Sequence, residues 1–350
     1  MSKKILLAVG ALGAFTCLKA QDSTQTPAVK LSGSADMYYR YDLNNPKSVP
    51  YNNYTSFTNS QNSFELGMVS LTAEHTMGKM GMVADLGFGK RAEEFSYNDG
   101  GSSVSIKQLF ITYAPSSKIK LTLGSWTTHI GYELVDANLN RNYSMSYLFS
   151  YGPFFHTGLK AEYALGARTT LMLGLTNPAD LKNAGNLPKM MIAQLSASSK
   201  DEKLKAFLNY QGGKNNDSGR LYQGDLVLNY ILSGKWSLGF NGTLQSRQSG
   251  AQGKWEHPLN WWGSALYIAA DPRTWLGFSL RGEYFSDKKG ALGFNTGIFE
   301  TTFSANFRIS DLTLIPEIRM EQAGRGIYTG SGGSPVKTTG SFLMAAVYSF

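Results

Sequence analysis

The run Phe299-Glu300-Thr301-Thr302-Phe303-Ser304-Ala305-Asn306-Phe307-Arg308-Ile309 alternates between two kinds of residue along its whole length. Phe299, Thr301, Phe303, Ala305, Phe307 and Ile309 share one face. Glu300, Thr302, Ser304, Asn306 and Arg308 share the other. Side chains of an extended chain point alternately to opposite sides, so this is a strand with an oily face and a polar one. A soluble strand is typically about five or six residues long, whereas a tilted strand needs about nine to eleven to cross a bilayer. The run fits the second case. Ser310 and Asp311 then turn the chain, and the alternation resumes over residues 312–320.

The same period recurs along the chain. Leu31, Gly33, Ala35, Met37, Tyr39 and Tyr41 oppose Ser32, Ser34, Asp36, Tyr38 and Arg40, and similar runs cover residues 81–90, 119–126, 157–163, 203–210, 236–246 and 275–285. Between runs, short connections (76–80, 115–118, 166–167, 199–202, 233–234, 271–274, 310–311) alternate with long ones (42–62, 92–102, 127–156, 177–188, 211–220, 247–260, 286–297, 321–340). Tight turns on one side of a membrane and long loops on the other are the rhythm of a transmembrane β-barrel. Seven short and eight long connections join about sixteen strands, an even number that puts both chain ends in the periplasm. The phase is obscure at 64–73 and 103–114, where apolar residues fall on both faces. The expectation is an all-β domain over residues 31–350: a closed antiparallel transmembrane barrel with short periplasmic turns and long external loops.

The ends agree with export. Lys3 and Lys4 precede an apolar stretch over residues 5–18, too short to span a bilayer, which reads as a secretory signal over residues 1–20 with cleavage after Ala20. Leu18 is not the small residue such a site favours, and Cys17 leaves a lipoprotein reading open. Residues 21–30 form a short polar periplasmic tail. Cys17 is the only cysteine and departs with the signal, so no disulfide framework or thiolate site is expected. No second long apolar run follows, which excludes a helical membrane protein. The chain is only 42% hydrophobic, yet it holds 13% aromatics and 38 glycines, as a barrel does when every second residue faces lipid. The net charge of +8 falls to +5 without Lys3, Lys4 and Lys19, and its basic residues are scattered, which argues against nucleic acid. At the other end Phe342, Met344, Ala346, Tyr348 and Phe350 form an apolar face. A final strand with Phe342, Tyr348 and a terminal Phe350 resembles the recognition signal read by bacterial barrel-assembly machinery. Tyr39, Tyr41, Trp126, Trp236, Trp261, Trp262 and Trp275 suit aromatic girdles at the lipid interface, with some left for lumen or loops.

Charged residues on these strands must face the lumen, because a lipid-facing arginine at mid-depth costs about 2–4 kcal/mol. That assigns Arg40, Lys120, Lys160, Arg281, Arg308 and Arg319, with Asp36, Asp85, Glu162, Glu283, Glu300 and Glu317, to a polar lumen. The longest connection, 127–156, is the third external loop and carries Glu133, Asp136 and Arg141. The candidate constriction therefore comprises Glu133, Asp136 and Arg141 of this loop with Arg40, Lys120, Arg281, Arg308 and Arg319 of the wall. An acidic loop facing a basic wall would set up a transverse field that orients dipolar solutes; charges paired for stability are the plainer reading. His129 and His156 flank the loop and could meet Glu133 as a two-histidine, one-carboxylate metal site, although packing hydrogen bonds account for them more simply. Of the remaining histidines, His75 and His257, only His75 lies in a strand body, and no serine near it has a recognisable nucleophile context, so no catalytic residue, cofactor or metal is assigned.

Gly131-Tyr132-Glu133, Asp136-Ala137, Asn142-Tyr143-Ser144, Gly152-Pro153-Phe154 and His156-Thr157-Gly158, with Leu123-Gly124-Ser125-Trp126 and Asp85-Leu86-Gly87-Phe88-Gly89 before them, resemble the pattern of OmpL-like β-barrel porins. Trp126 departs from the apolar residue expected there. The resemblance covers essentially the whole exported chain, with its specific words between residues 85 and 158. It implies an outer-membrane porin; the length and place of the third loop resemble those of general diffusion porins, where that loop folds into the lumen and narrows the pore, and the expected work is diffusion of ions and small polar solutes. Its partners would be outer-membrane lipid, the barrel-assembly machinery and, by analogy with other sixteen-strand porins, two further copies in a homotrimer. The alternative is a plugged structural or adhesive barrel without open-channel activity.

Overall fold

The structure, a computed structural model, describes residues 28–251 and 254–350. The proposed signal over residues 1–20 and most of the tail lie outside them. Sixteen long strands form one ring. They are β1 (Lys30–Asp42), β2 (Ser63–Met77), β3 (Met80–Phe88), β4 (Val104–Ser116), β5 (Ile119–Thr127), β6 (Phe155–Gly166), β7 (Thr169–Thr176), β8 (Met190–Ser198), β9 (Leu204–Asn216), β10 (Gly219–Ile231), β11 (Trp236–Ala251), β12 (Leu259–Arg273), β13 (Leu276–Ser286), β14 (Gly297–Ile309), β15 (Leu312–Ala323) and β16 (Thr338–Ser349). Each is antiparallel to the next, and β1 closes the ring on β16 from Ser34 opposite Ser349 to Asp42 opposite Ser341. Closure leaves no strand edge, and in hydrocarbon an unpaired backbone group costs several kcal/mol.

The polar alternation sets the two surfaces. On β14 Phe299, Phe303, Phe307 and Ile309 face outward, while Glu300, Thr302, Ser304 and Asn306 are buried inside. Phe342, Met344, Tyr348 and Phe350 face outward at the closing strand, and Phe350 exchanges backbone hydrogen bonds with Gly33 of β1. Trp236, Trp262 and Trp275 also face outward, whereas Trp126 and Trp261 turn into the lumen.

Both runs of obscure phase contain a register shift. On β2, Phe64 and Leu66 face outward, then Val69 and Leu71 do, because Gly67 and Met68 together oppose the single residue Asp36 of β1. On β4, Val104 and Ile106 give way to Leu109, Ile111 and Tyr113, and Lys107 is the extra residue opposite β3. A bulge flips the phase by one residue, so apolar residues before and after it occupy different parities yet the same face.

One connection is shorter than its sequence suggests. Residues 211–220 are almost entirely strand, with β9 and β10 joined by the two residues 217–218. The adjoining β11 likewise runs on to Ala251, where Gly250 pairs with Trp255. Polar side chains there suit an extended ribbon above the membrane as well as a loop, which hides the difference in sequence.

Candidate functional site

The loop over residues 128–154, between β5 and β6, enters the barrel. Small inward residues make room for it. Gly239 of β11 lies under the Tyr132 ring, and Gly67 lies against Asp36 and the Tyr143 hydroxyl, places where a β-carbon would collide. Tyr132 also stacks on Tyr267 of β12 at 4.0 Å between ring centroids.

An irregular buried loop must satisfy its own backbone, since it has no ladder to do so. Here wall side chains supply the partners. Glu317 of β15 accepts from the backbone N–H groups of Tyr143 and Ser144 at 2.8 and 3.2 Å. Glu283 of β13 accepts from those of Tyr147 and Leu148 at 2.8 and 2.7 Å, at the start of a single helical turn, Tyr147–Ser150. Arg281 donates to the Ser144 carbonyl and Arg319 to the Met145 carbonyl, each at 2.7 Å. Asn142 of the loop donates to Ser304 and accepts from Ser279, and Asn306 donates to the Arg141 carbonyl. Across the lumen, Asp225 of β10 accepts from the Gly131 N–H at 3.1 Å. Asp180, in the loop after β7, accepts from Phe154 and Phe155 N–H at 2.6 and 3.0 Å. Burial pushes the Asp180 carboxyl up to about 6.

The structure sorts the eight candidate constriction residues into separate groups. Glu133 and Arg281 meet at 2.6 Å, and Arg281 also holds Glu300 at 3.0 Å. Arg319 joins this cluster, 3.9 Å from Glu300 and 2.5 Å from Glu321. Loop acid and wall base are thus in contact, not facing each other across a gap, and Arg281 and Glu300 have no solvent exposure at all. Asp136 pairs instead with Lys107 at 2.5 Å, and Lys107 reaches Asp85 at 3.1 Å. Arg141 pairs with Asp271 at 2.6 Å, which Arg308 also holds at 2.7 Å. Arg40 lies apart, beside Asp42 and donating to the carbonyls of Tyr51 and Ser60. Lys120 is remote from the loop and binds Glu162 at 2.5 Å, with Lys160 on the other side of that carboxylate at 3.5 Å.

Two members of the site, Lys107 and Arg91, carry little signal in the sequence. Lys107 sits at the β4 phase break and could have been found as the one cation within that run. Arg91, in the helix Lys90–Phe95, lies near Asp36, donates to the Val135 carbonyl and stacks on Phe57 and Tyr143. Nothing in its sequence context marks it. His129 and His156 do approach, with ring centroids 5.1 Å apart, but Glu133 is engaged by Arg281 and Ser146 and does not join them. Burial pushes the His129 imidazole down to about 4, so the ring is neutral at ordinary pH.

Aromatic side chains from this loop, other loops and the wall complete the filling. Phe57, Phe95, Phe149, Phe154 and Phe155 form one buried cluster, and Tyr147, Trp261, Phe285, Phe294 and Tyr328 belong to another. Two cavities border the loop. One of about 160 Å³ lies between residues 137–141 and Asn306, Arg308, Thr313, Val347 and Ser349. Another, of about 70 Å³, lies beside Tyr132, Arg141, Ser237 and Tyr267.

A closed ring of sixteen membrane-length strands, apolar outside and polar inside, with one long loop held in its lumen, is the architecture of an outer-membrane porin. The family described as "Putative beta-barrel porin-2, OmpL-like" matches residues 28–350, and the chain belongs to it. Among solved structures the fold resembles the anion-selective porin from Comamonas acidovorans, with a TM-score of 0.63 at 10% identity, covering 92% of this chain and 99% of that one. It also resembles the outer membrane channel DcaP of Acinetobacter baumannii, with a TM-score of 0.61 at 12% identity over 94% and 99% of the two chains. A trimer form of OmpT, an outer membrane protein of Vibrio cholerae, has a TM-score of 0.58 at 12% identity over 93% and 100%. At these identities the likeness is one of fold. No curated protein matches the chain in sequence.

Proposed function

We propose that the protein is a narrow diffusion porin in which hydrated ions and small polar solutes pass beside the third loop. The observation that carries this reading is the contrast in solvent contact among inward charges. Lys120, Lys160 and Glu162 keep 26%, 16% and 17% of their side-chain surface, whereas Arg281 and Glu300 keep none. Water therefore has a reason to follow the β5–β6 side. Two trios retain solvent contact, Lys120–Glu162–Lys160 and Arg141–Asp271–Arg308, and each sets two cations against one carboxylate. An excess of positive charge along a water-filled lumen raises the local concentration of anions. The proposed preference is thus for anions, as the printed name of the Comamonas neighbour states of that protein.

The rest of the reading follows from export and assembly. The leader over residues 1–20 is cleaved after Ala20, the assembly machinery reads Phe342, Tyr348 and Phe350, and three copies associate, as in the trimer form of the Vibrio protein. No catalytic step, cofactor or metal enters this reading.

Single-channel recording of the refolded barrel in a planar bilayer, with reversal potential under a salt gradient, tests it. Discrete steps with a reversal potential on the anion side are expected. Silence from folded protein would overturn it in favour of a plugged barrel, the second reading, which the full burial of the Arg281–Glu300 pair favours.

A further inference from the structure

The outer wall carries a basic stripe that the pore does not use. Strand parity puts Leu208, Tyr210, Gly212 and Lys214 on the outward face of β9, and Arg220, Tyr222 and Leu226 on that of β10. Lys214 and Arg220 are direct cross-strand partners. Met191 of β8 opposes Gly212, so two further steps along the same antiparallel register bring Lys189 opposite Lys214. Three cations therefore lie in a row across adjacent chain segments, just beyond Tyr210 and Tyr222, which are both exposed at the end of the apolar band.

Like charges directly opposite each other destabilise a sheet, and the Lys189 ammonium has only the Leu187 carbonyl as a recorded hydrogen-bond partner, at 3.2 Å. Among the described residues no ion pair joins Lys189, Lys214 or Arg220 to a carboxylate. Lys214 and Arg220 share an indole: Trp255 lies under the Arg220 guanidinium at 3.8 Å and within 5.9 Å of the Lys214 ammonium. Gly250, where a β-carbon would strike this ring, lets Trp255 lie flat on β11. The indole holds the two cations at one place without neutralising them.

We propose that Lys214 and Arg220, gathered by Trp255, bind with Lys189 the phosphate groups of a phosphorylated lipid in the outer leaflet. The chemistry and the depth agree. Cations immediately outside an aromatic girdle lie at headgroup level, where anionic lipid is drawn to Lys and Arg. Arginine beside lysine suits phosphate oxygens, which accept paired guanidinium hydrogen bonds. The site needs only that the 217–218 turn faces outside; it is independent of whether the lumen conducts.

The test uses the folded barrel in vesicles containing lipopolysaccharide, beside vesicles whose lipopolysaccharide has been dephosphorylated, with retained lipid read by native mass spectrometry. The native protein should retain the phosphorylated lipid, and the triple variant Lys189→Gln, Lys214→Gln, Arg220→Gln should retain it at least about tenfold less. The pair Lys189→Arg, Lys214→Arg should keep it, which separates charge from folding. Equal retention by native and triple-variant barrels of the same heat-modifiable mobility overturns the proposal, as does indifference to dephosphorylation. Displacement of the lipid by millimolar inorganic phosphate would assign the site to free phosphate and overturn the lipid. Labelling of Asp217→Cys from outside intact cells checks the orientation separately.

Discussion

Two stretches of the inner wall, eight strands apart around the ring, use the same residue types for different ends. On β13–β15 Arg281, Glu283, Glu300, Glu317 and Arg319 are buried against the third loop, and each reaches a loop backbone group, a loop carboxylate or another member of the cluster. On β5–β6 Lys120, Lys160 and Glu162 pair among themselves and keep contact with water. The difference lies in what is opposite them. A charge facing bare loop backbone is desolvated and must be fully hydrogen-bonded, because an unpaired one costs several kcal/mol. A charge facing water stays solvated, and its pairing contributes little, about 0–1 kcal/mol. One wall is structural, and under the proposed function the other is left to act on solutes.

The sharpest way to break this comparison is to remove Arg281. Arg281→Ala strands Glu133 and Glu300 in a dry site, and the expected loss is about 3–5 kcal/mol of barrel stability. It should appear as a lower urea midpoint together with larger channel steps as the loop loosens. Unchanged conductance in a destabilised barrel would show that the loop does not limit the pore.

A weaker anchor joins the loop to neither wall. Asp180 is raised to about 6 from an ordinary value of 3.8 by burial, so the folded protein binds its proton more tightly than the unfolded chain does. With the folded value above the unfolded one, its contribution is greatest below about 3.8 and declines as pH rises to about 6, by at most about 3 kcal/mol. Thermal unfolding between pH 4 and 7 should show this slope in the native protein and a flatter one in Asp180→Asn. Asparagine keeps the acceptor and tolerates the left-handed backbone at this position, φ 63°.

Glu317→Gln keeps an acceptor for only one of the two backbone N–H groups, Tyr143 or Ser144, and turns an amide NH2 against the other, at a cost of about 1–3 kcal/mol. External protease should then cut within residues 128–154 faster than in the native barrel. On the other wall, Lys160→Gln removes one of two cations beside Glu162, whose carboxylate Lys120 still holds, and is expected to cost less stability than Arg281→Ala, about 1 kcal/mol. Its effect should instead be a reversal potential moved toward cations. A large stability loss with unmoved selectivity would erase the distinction between the walls.

Much of the barrel was legible because period-two alternation and loop rhythm are local properties. The Phe299 run, the closing strand and the inward placement of Glu283, Glu300, Glu317, Arg281 and Arg319 all follow from parity. Parity fails where a bulge intervenes, which is why β2 and β4 were obscure and Lys107 was missed. It also cannot distinguish a long loop from a ribbon that outruns the membrane, as at residues 211–220. The grouping of the site was not legible either. Glu133 and Asp136 are three residues apart, yet one meets Arg281 and the other Lys107, on different parts of the ring.

The amino-acid sequence by itself determined the ring: membrane-length strands, an oily exterior, a polar interior and a third loop long enough to enter it. These depend on side-chain parity and segment length, which neighbours along the chain settle. Only the tertiary structure decided which interior charges are locked and which are wet. That depends on where the backbone of residues 128–154 comes to rest against strands far away in sequence, where the N–H groups of Tyr143 and Tyr147 and the carbonyls of Ser144 and Met145 find partners on the wall.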